Sequence, residues 1–216
     1  MRLPALLVLC LILLAACSRD GGYRPGKPGT VWTYTDSSAT NNNSMVRERL
    51  ERLGEDRELT TSDGRTITCR TLEVVSNGQP LSRLWFEDLG DEIRIHRLDH
   101  LPANEIIRYD PWYPMLAASD RDTTLRCLVL LSRGENDAPY HRIEVGLTVK
   151  NRVEEKQVGN NTRTVLVQEL KEEGPYGMTY RNTWLKGHGL LEQVIWGSSP
   201  QYTNSTHITL KHPLPE

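Results

Sequence analysis

Long hydrophobic runs are missing from this 216-residue chain, and phenylalanine is almost missing, with one residue against five tryptophans. The longest apolar stretch, Leu3 to Leu14, is about a dozen residues, well short of the roughly 20 that cross a bilayer as a helix. The motifs that carry common chemistries are also lacking. There is no Gly-x-Ser-x-Gly elbow, no His-Glu-x-x-His, no phosphate loop and no dinucleotide fingerprint. Acidic pairs such as Glu154-Glu155 and Glu172-Glu173 are sequence neighbours, which point to opposite faces of a strand and cannot cooperate across a substrate. His96, Asp99 and His100 are the tightest metal-like grouping. Asp99 alternates away from the two histidines, so a solvated strand end is expected rather than a metal site. No enzyme, metal or cofactor is therefore expected. Charge of one sign is lacking as well. The richest basic stretch, Arg47, Arg49 and Arg52, is interrupted by Glu48 and Glu51, so nucleic acid is not an expected partner.

What is present begins at the amino terminus. Arg2 gives a positive start, the apolar run follows, and Leu14-Ala15-Ala16-Cys17 closes it. A short apolar segment behind a positive start, ending in small residues, is a secretory signal peptide. Leu-Ala-Ala-Cys resembles the bacterial lipobox, which makes 1–16 the signal peptide and Cys17 the lipidation site. Small side chains at 15 and 16 admit the peptidase, and only a thiol accepts the glyceryl group. Two or three acyl chains anchor stably where one binds marginally. The covalent lipid on Cys17 is the only non-protein group expected, and the membrane is the expected partner. Ser18 rather than Asp follows the cysteine. By the enterobacterial-type sorting rule this resemblance implies the cell envelope, the outer membrane facing the periplasm ahead of the inner one. The mature chain has 200 residues, with 25 basic side chains once Arg2 is removed and 28 acidic ones. Residues 17–29, glycine- and proline-rich, read as a lipidated flexible tether. Residues 30–216 read as a single β-rich domain.

From Thr30 the dominant period is two. Ile143, Val145, Leu147 and Val149 alternate with Arg142, Glu144, Thr148 and Lys150, the pattern of a half-buried antiparallel strand. Asp63-Gly64 and Asn77-Gly78 are hairpin dipeptides. The pattern predicts strands near 30–36, 44–53, 66–75, 80–87, 92–98, 124–132, 140–150, 152–158, 163–172, 178–185, 190–197 and 204–211. Val46, Leu50 and Leu53 also fit a helical stripe. The expected fold is all-β with little helix, a strongly curved antiparallel meander forming an open half-barrel. One segment breaks the rhythm: Pro102, Pro111 and Pro114 accompany Ile106, Ile107, Trp112, Tyr113, Met115 and Leu116. It is too proline-rich for a central strand and too apolar for a solvated loop, so it reads as a plug closing one end of the barrel, or as a lid or contact segment. Cys69 and Cys127 are either a disulfide, allowed in an exported compartment, or two buried thiols.

Three stretches carry a wider resemblance: Gly29-Thr30-Val31-Trp32-Thr33-Tyr34, Tyr109-Asp110-Pro111, and Trp184-Leu185-Lys186-Gly187-His188-Gly189-Leu190. Together they resemble bacterial exported lipoproteins with an open half-barrel sheet, among them uncharacterised lipoproteins and the Lol-type localisation factors. The resemblance implies an outer-membrane-type lipoprotein. Two functions follow as expectations: a non-catalytic module holding an apolar ligand, such as a lipid or acyl chain, or a structural or assembly lipoprotein docking onto another envelope protein. A deep apolar concave face marks the first, and a filled core with an exposed apolar patch marks the second.

Overall fold

The computed structural model describes residues 22–23, 26–40, 43–117, 122–174, 177–199 and 202–211. Among them the only helix is the 3-10 turn Leu101–Ala103. The strands are β1 (Val31–Thr40), β2 (Asn43–Leu53), β3 (Arg57–Thr60), β4 (Thr66–Ser76), β5 (Gln79–Asp88), β6 (Glu92–His100), β7 (Glu105–Ala117), β8 (Thr123–Ser132), β9 (His141–Val158), β10 (Asn161–Glu173), β11 (Met178–Leu185), β12 (Gly189–Ser199) and β13 (Tyr202–Leu210). Neighbours in sequence pair antiparallel from β4 round to β13, β13 pairs with β1, and β1 pairs with β2. The Met45–Leu53 stretch is thus strand and not helix.

The sheet closes. β2 pairs with β4 from Arg49↔Ser76 to Leu53↔Leu72, which joins the two ends into a ring of 12 strands. The expected open half-barrel is therefore corrected to a closed barrel. Strand β3 stands outside the ring, paired only to β4 through four residues. Closure removes the exposed sheet edges that an open half-barrel would leave. A local clasp supports the seam. Asn77 and Gly78 adopt φ values of 48° and 76°, the positive pair that an Asn-Gly hairpin turn needs. The turn then donates Asn77 N–H to Glu48 O, and Asn77 Oδ1 accepts from Glu48 N–H.

The interior fills from wall to wall. One cluster joins Trp32 and Tyr34 of β1, Phe86 of β5, Ile93 of β6, Leu116 of β7, Leu166 of β10, Trp184 of β11 and Ile208 of β13. Trp184, Tyr34 and Phe86 have no accessible surface. The Tyr34 hydroxyl is satisfied by donating to Leu190 O at 3.2 Å. A second cluster, Cys127, Val145, Leu147, Val149 and Leu170, continues the interior along β8 to β10. A third lies outside the ring. Val165 and Val167 alternate with the inward Leu166 and pack with Leu185, Leu191 and Val158. The β9–β10 hairpin runs on past the last β10–β11 pair, Leu166↔Trp184. Its Lys156 ammonium meets Glu192 on β12, which pins the hairpin over that outer cluster.

The segment expected to plug or cover an end, Ile106 to Leu116, is instead wall strand β7. Its prolines do not break it, because β8 pairs only with Ile106 to Asp110. From Pro111 onward β7 has a partner on β6 alone, so a missing N–H on the other side breaks no ladder. The freed end turns inward, where Gln168, fully buried on β10, holds it by two backbone bonds. The end of the barrel where β1 starts is covered by the amino-terminal residues. Gly22 O accepts from Gly187 N–H at 3.0 Å, Arg70 Nη2 donates to Gly26 O at 2.8 Å, and Gly29 N–H donates to Leu53 O at 2.7 Å. Tyr23 packs against the main cluster. The ordered fold thus reaches back to Gly22, into the stretch read as tether.

Candidate functional site

Cys17 and residues 1–16, read as a signal peptide, lie outside the described residues. Cys69 and Cys127 are free, buried thiols, and the disulfide between them is not made. Cys69 packs with Leu59 and Trp85 outside the ring, whereas Cys127 belongs to the interior cluster. Burial pushes each thiol up to about 12, which removes nucleophilic character at neutral pH. The proposed lid residues divide. Ile106 and Ile107 pair with Ser132 and Leu131, and Trp112 lies beneath the Arg94 guanidinium, 4.7 Å from its ring centre. Tyr113, Met115 and Leu116 join or pack against the interior. No group of three His, Cys, Asp or Glu side chains among the described residues is placed to hold a metal. Asp99 accepts from Trp85 Nε1 at 3.0 Å and from Arg97 Nε at 2.6 Å. His96 is buried 3.6 Å from Glu87, and its burial lowers its pKa.

One buried polar group was not singled out from the sequence. Glu172 pairs with Leu147 and points inward, while Glu173 pairs with Gly146 and is exposed. Tyr113 donates to Glu172 Oε1 at 2.6 Å, and Tyr109 lies 5.2 Å from Tyr113, ring to ring. Desolvation raises Glu172 above the usual carboxylate range, against the hydrogen bonds from Tyr113 and Tyr180. The same desolvation raises Tyr109, Tyr113 and Tyr180. This is a carboxyl held between phenols. Its arrangement fits a structural hydrogen-bond centre inside the barrel.

The outer surface carries a different feature. Two register rows cross four strands: Val46, Ser37, His207 and Val194, then Ser44, Ala39, Ser205 and Trp196. Directly paired residues share a face, and alternation from the inward Trp32, Tyr34 and Asp36 puts both rows outside. Val46 and Trp196 form walls on β2 and β12, three strand spacings, about 14 Å, apart. The floor between them is Ser, Ala and His. The groove has a volume of about 320 Å³. Val46 is 70% and Trp196 43% exposed. Trp32 and Trp184 lie in the interior cluster and Trp85 packs outside the ring against Leu59 and Cys69, whereas Trp196 stands exposed. The sequence signal was the run of small residues at 37–40. On the outer face His207 meets Glu192 at 2.7 Å, whereas the Arg47–Asp36 pair, 3.2 Å apart, lies on the opposite, inward face of the same strands. Burial acts to raise Glu192, yet Lys156 and His207 hold its carboxyl below the usual range.

No family model matches the chain, and no curated protein matches it in sequence. Among solved structures it is similar to a candidate lipoprotein of Parabacteroides distasonis, at 12% identity and a TM-score of 0.47, over 88% of this chain and 99% of that one. It is also similar to a candidate exported protein of Bacteroides fragilis with a YmcC-like fold, at 11% identity and a TM-score of 0.46, over 89% and 100%. A third is the hypothetical lipoprotein YmcC of Escherichia coli, at 11% identity and a TM-score of 0.36, over 84% and 87%. At these identities and superpositions the likeness transfers no function.

Proposed function

We propose that this chain is a non-catalytic, lipid-anchored lipoprotein of the bacterial envelope that docks onto another envelope protein through its outer groove. The observation that carries the choice is the placement of apolar surface. Wall-to-wall packing of Trp32, Phe86, Leu116, Leu166 and Trp184 fills the part of the barrel where an acyl chain would lie. Val46 and Trp196 meanwhile stand exposed over a small-residue floor. Exposed apolar groups rimmed by polar ones are the surface pattern of protein contacts. The lipobox supports the anchor on Cys17, and Ser18 supports the outer membrane facing the periplasm. The apolar-ligand reading loses its support with the open half-barrel.

The test is site-specific photocrosslinking in the bacterium, with a benzophenone side chain at position 46 or 196 and, outside the groove, at Tyr140, whose exposure lies between theirs. A discrete adduct from 46 and 196 that is missing from 140 is expected. Equal labelling from all three positions overturns the groove. Stoichiometric lipid in mass spectra of the purified domain, with no adduct, returns the apolar-ligand reading.

A further inference from the structure

We propose that the surface of the bilayer is the partner of one defined end of the barrel, the end formed by Gly22, the Leu89–Asp91 turn and the Lys186–His188 turn. This rests on reading Cys17 as the lipidated residue and adds the orientation that the anchor imposes. Five residue steps separate Cys17 from Gly22. At about 3.3–3.6 Å per residue they reach at most about 18 Å, whatever path they take. Gly22 itself is fastened. Its carbonyl accepts from Gly187 N–H, and a Cβ placed on it would lie 3.6 Å from Gly90 Cα. Immediately after it, the Tyr23 carbonyl passes under Gly189, 3.4 Å from where a Cβ would stand there. Farther along, Arg70 grips Gly26 O and is itself held by Asp56 and Asp88. The lipid on Cys17 therefore cannot sit farther from these two turns than a short span, and the barrel cannot swing to present its other end to the same membrane.

The turns are suited to that position. Leu89, at the tip of the β5–β6 hairpin, is half exposed, and Lys186 meets Asp91 at 3.3 Å to link the two tips. A leucine beside a mixed-charge pair fits the boundary between headgroups and acyl chains. The groove takes the opposite position. Ala39 lies eight residues along β1 from Val31, roughly 20 Å farther from the bilayer once strand tilt is allowed for. The same short strap that brings one end to the lipid holds the groove out toward the aqueous compartment.

The experiment uses the full-length, lipid-bearing protein extracted in detergent and reconstituted into phosphatidylcholine vesicles with an acceptor dye on the lipid headgroup. Leu89→Cys and Val46→Cys variants carry a donor fluorophore, the buried Cys69 and Cys127 being shielded from labelling. Energy transfer from position 89 is expected to exceed that from 46 several-fold. Equal or greater transfer from 46, in protein that floats with the vesicles, overturns the orientation while leaving the anchor standing. Wild-type protein that fails to float, or Cys17→Ser protein that floats equally well, overturns the anchor and the orientation with it. In a variant with about a dozen Gly and Ser residues inserted after Asp20, the difference between the labels is expected to shrink. An undiminished difference overturns the tether as its cause.

Discussion

Gln168 on β10 and Ala117 on β7 are bonded across the interior of the barrel, from Ala117 N–H to Gln168 Oε1 at 3.0 Å. The other end of the amide donates to Met115 O at 3.1 Å, so one side chain stands in for the ladder partner that β7 loses when β8 departs. Replacing it with leucine keeps the volume and orphans a buried N–H and a buried C=O. At about 1–3 kcal/mol for each buried group left unpaired, Gln168→Leu should cost about 2–6 kcal/mol in urea unfolding. Gln168→Glu distinguishes the two bonds. An ionised carboxylate still accepts from Ala117 but cannot donate to Met115, so the deficit should narrow at low pH. A variant as stable as wild type would remove Gln168 as the tie.

Tyr23 tests whether the amino-terminal strap is part of the fold. It packs against the main cluster, and desolvation raises its hydroxyl pKa against the lowering effect of Lys186. Being partly buried, Tyr23→Ala should cost about 1–2 kcal/mol, below the 3–5 kcal/mol of a fully buried aromatic. Tyr23→Phe should cost little. Melting temperatures of the two variants check this, and equal values would mean that the ring contributes nothing.

The groove residues behave oppositely in stability and function. Val46 and Trp196 are exposed, so Val46→Ser and Trp196→Ala should each shift stability by no more than about 0.5 kcal/mol. The same changes should abolish the adduct formed from the groove. Loss of folding in either variant would show that the residues serve the core.

Much of this fold was legible in the sequence, and the exceptions share a cause. The stretch 44–53 reads as strand although Val46, Leu50 and Leu53 also fit a helical stripe, and β2 spans Asn43–Leu53. Asp63-Gly64 and Asn77-Gly78 do turn the chain, with positive φ at both glycines. The break expected near 151 is absent, since Asn151 is a ladder residue of a continuous β9 whose side-chain amide donates to Ala117 O. Closure was not legible, because alternation shows which face of β2 is buried and says nothing of β4 lying beside it. The prolines of β7 misled for the same reason: whether a proline breaks a sheet depends on which neighbour is still present. The groove escaped because its walls lie about 150 residues apart in the chain and meet only through the β1–β13 pairing.

The two thiols give a direct chemical test of the unpaired state. Both are buried with pKa values pushed up to about 12, so neither is a thiolate at neutral pH. The folded domain should take up no maleimide, and protein in concentrated guanidinium should take up two, at Cys69 and Cys127. Reducing agent should leave the melting temperature unchanged. A mass two hydrogens lower, with no labelling after denaturation, would establish the disulfide instead.

Glu172 sets a pH dependence whose direction follows from its burial. Desolvation raises its pKa in the folded protein above the ordinary value of 4.5, so the folded state binds this proton more tightly than the unfolded chain. The stabilisation is complete below the unfolded value and is lost as the pH climbs through the folded one, since the unfolded state then holds fewer protons. Glutamine keeps an acceptor for Tyr113 and carries no charge to desolvate. Glu172→Gln should therefore have a flatter stability profile than wild type above pH 4.5 and gain on it as the pH rises. Paired urea titrations from acid to neutral pH would read the difference directly. Parallel profiles for the two proteins would mean that the Glu172 carboxyl ionises as readily inside the barrel as in the unfolded chain.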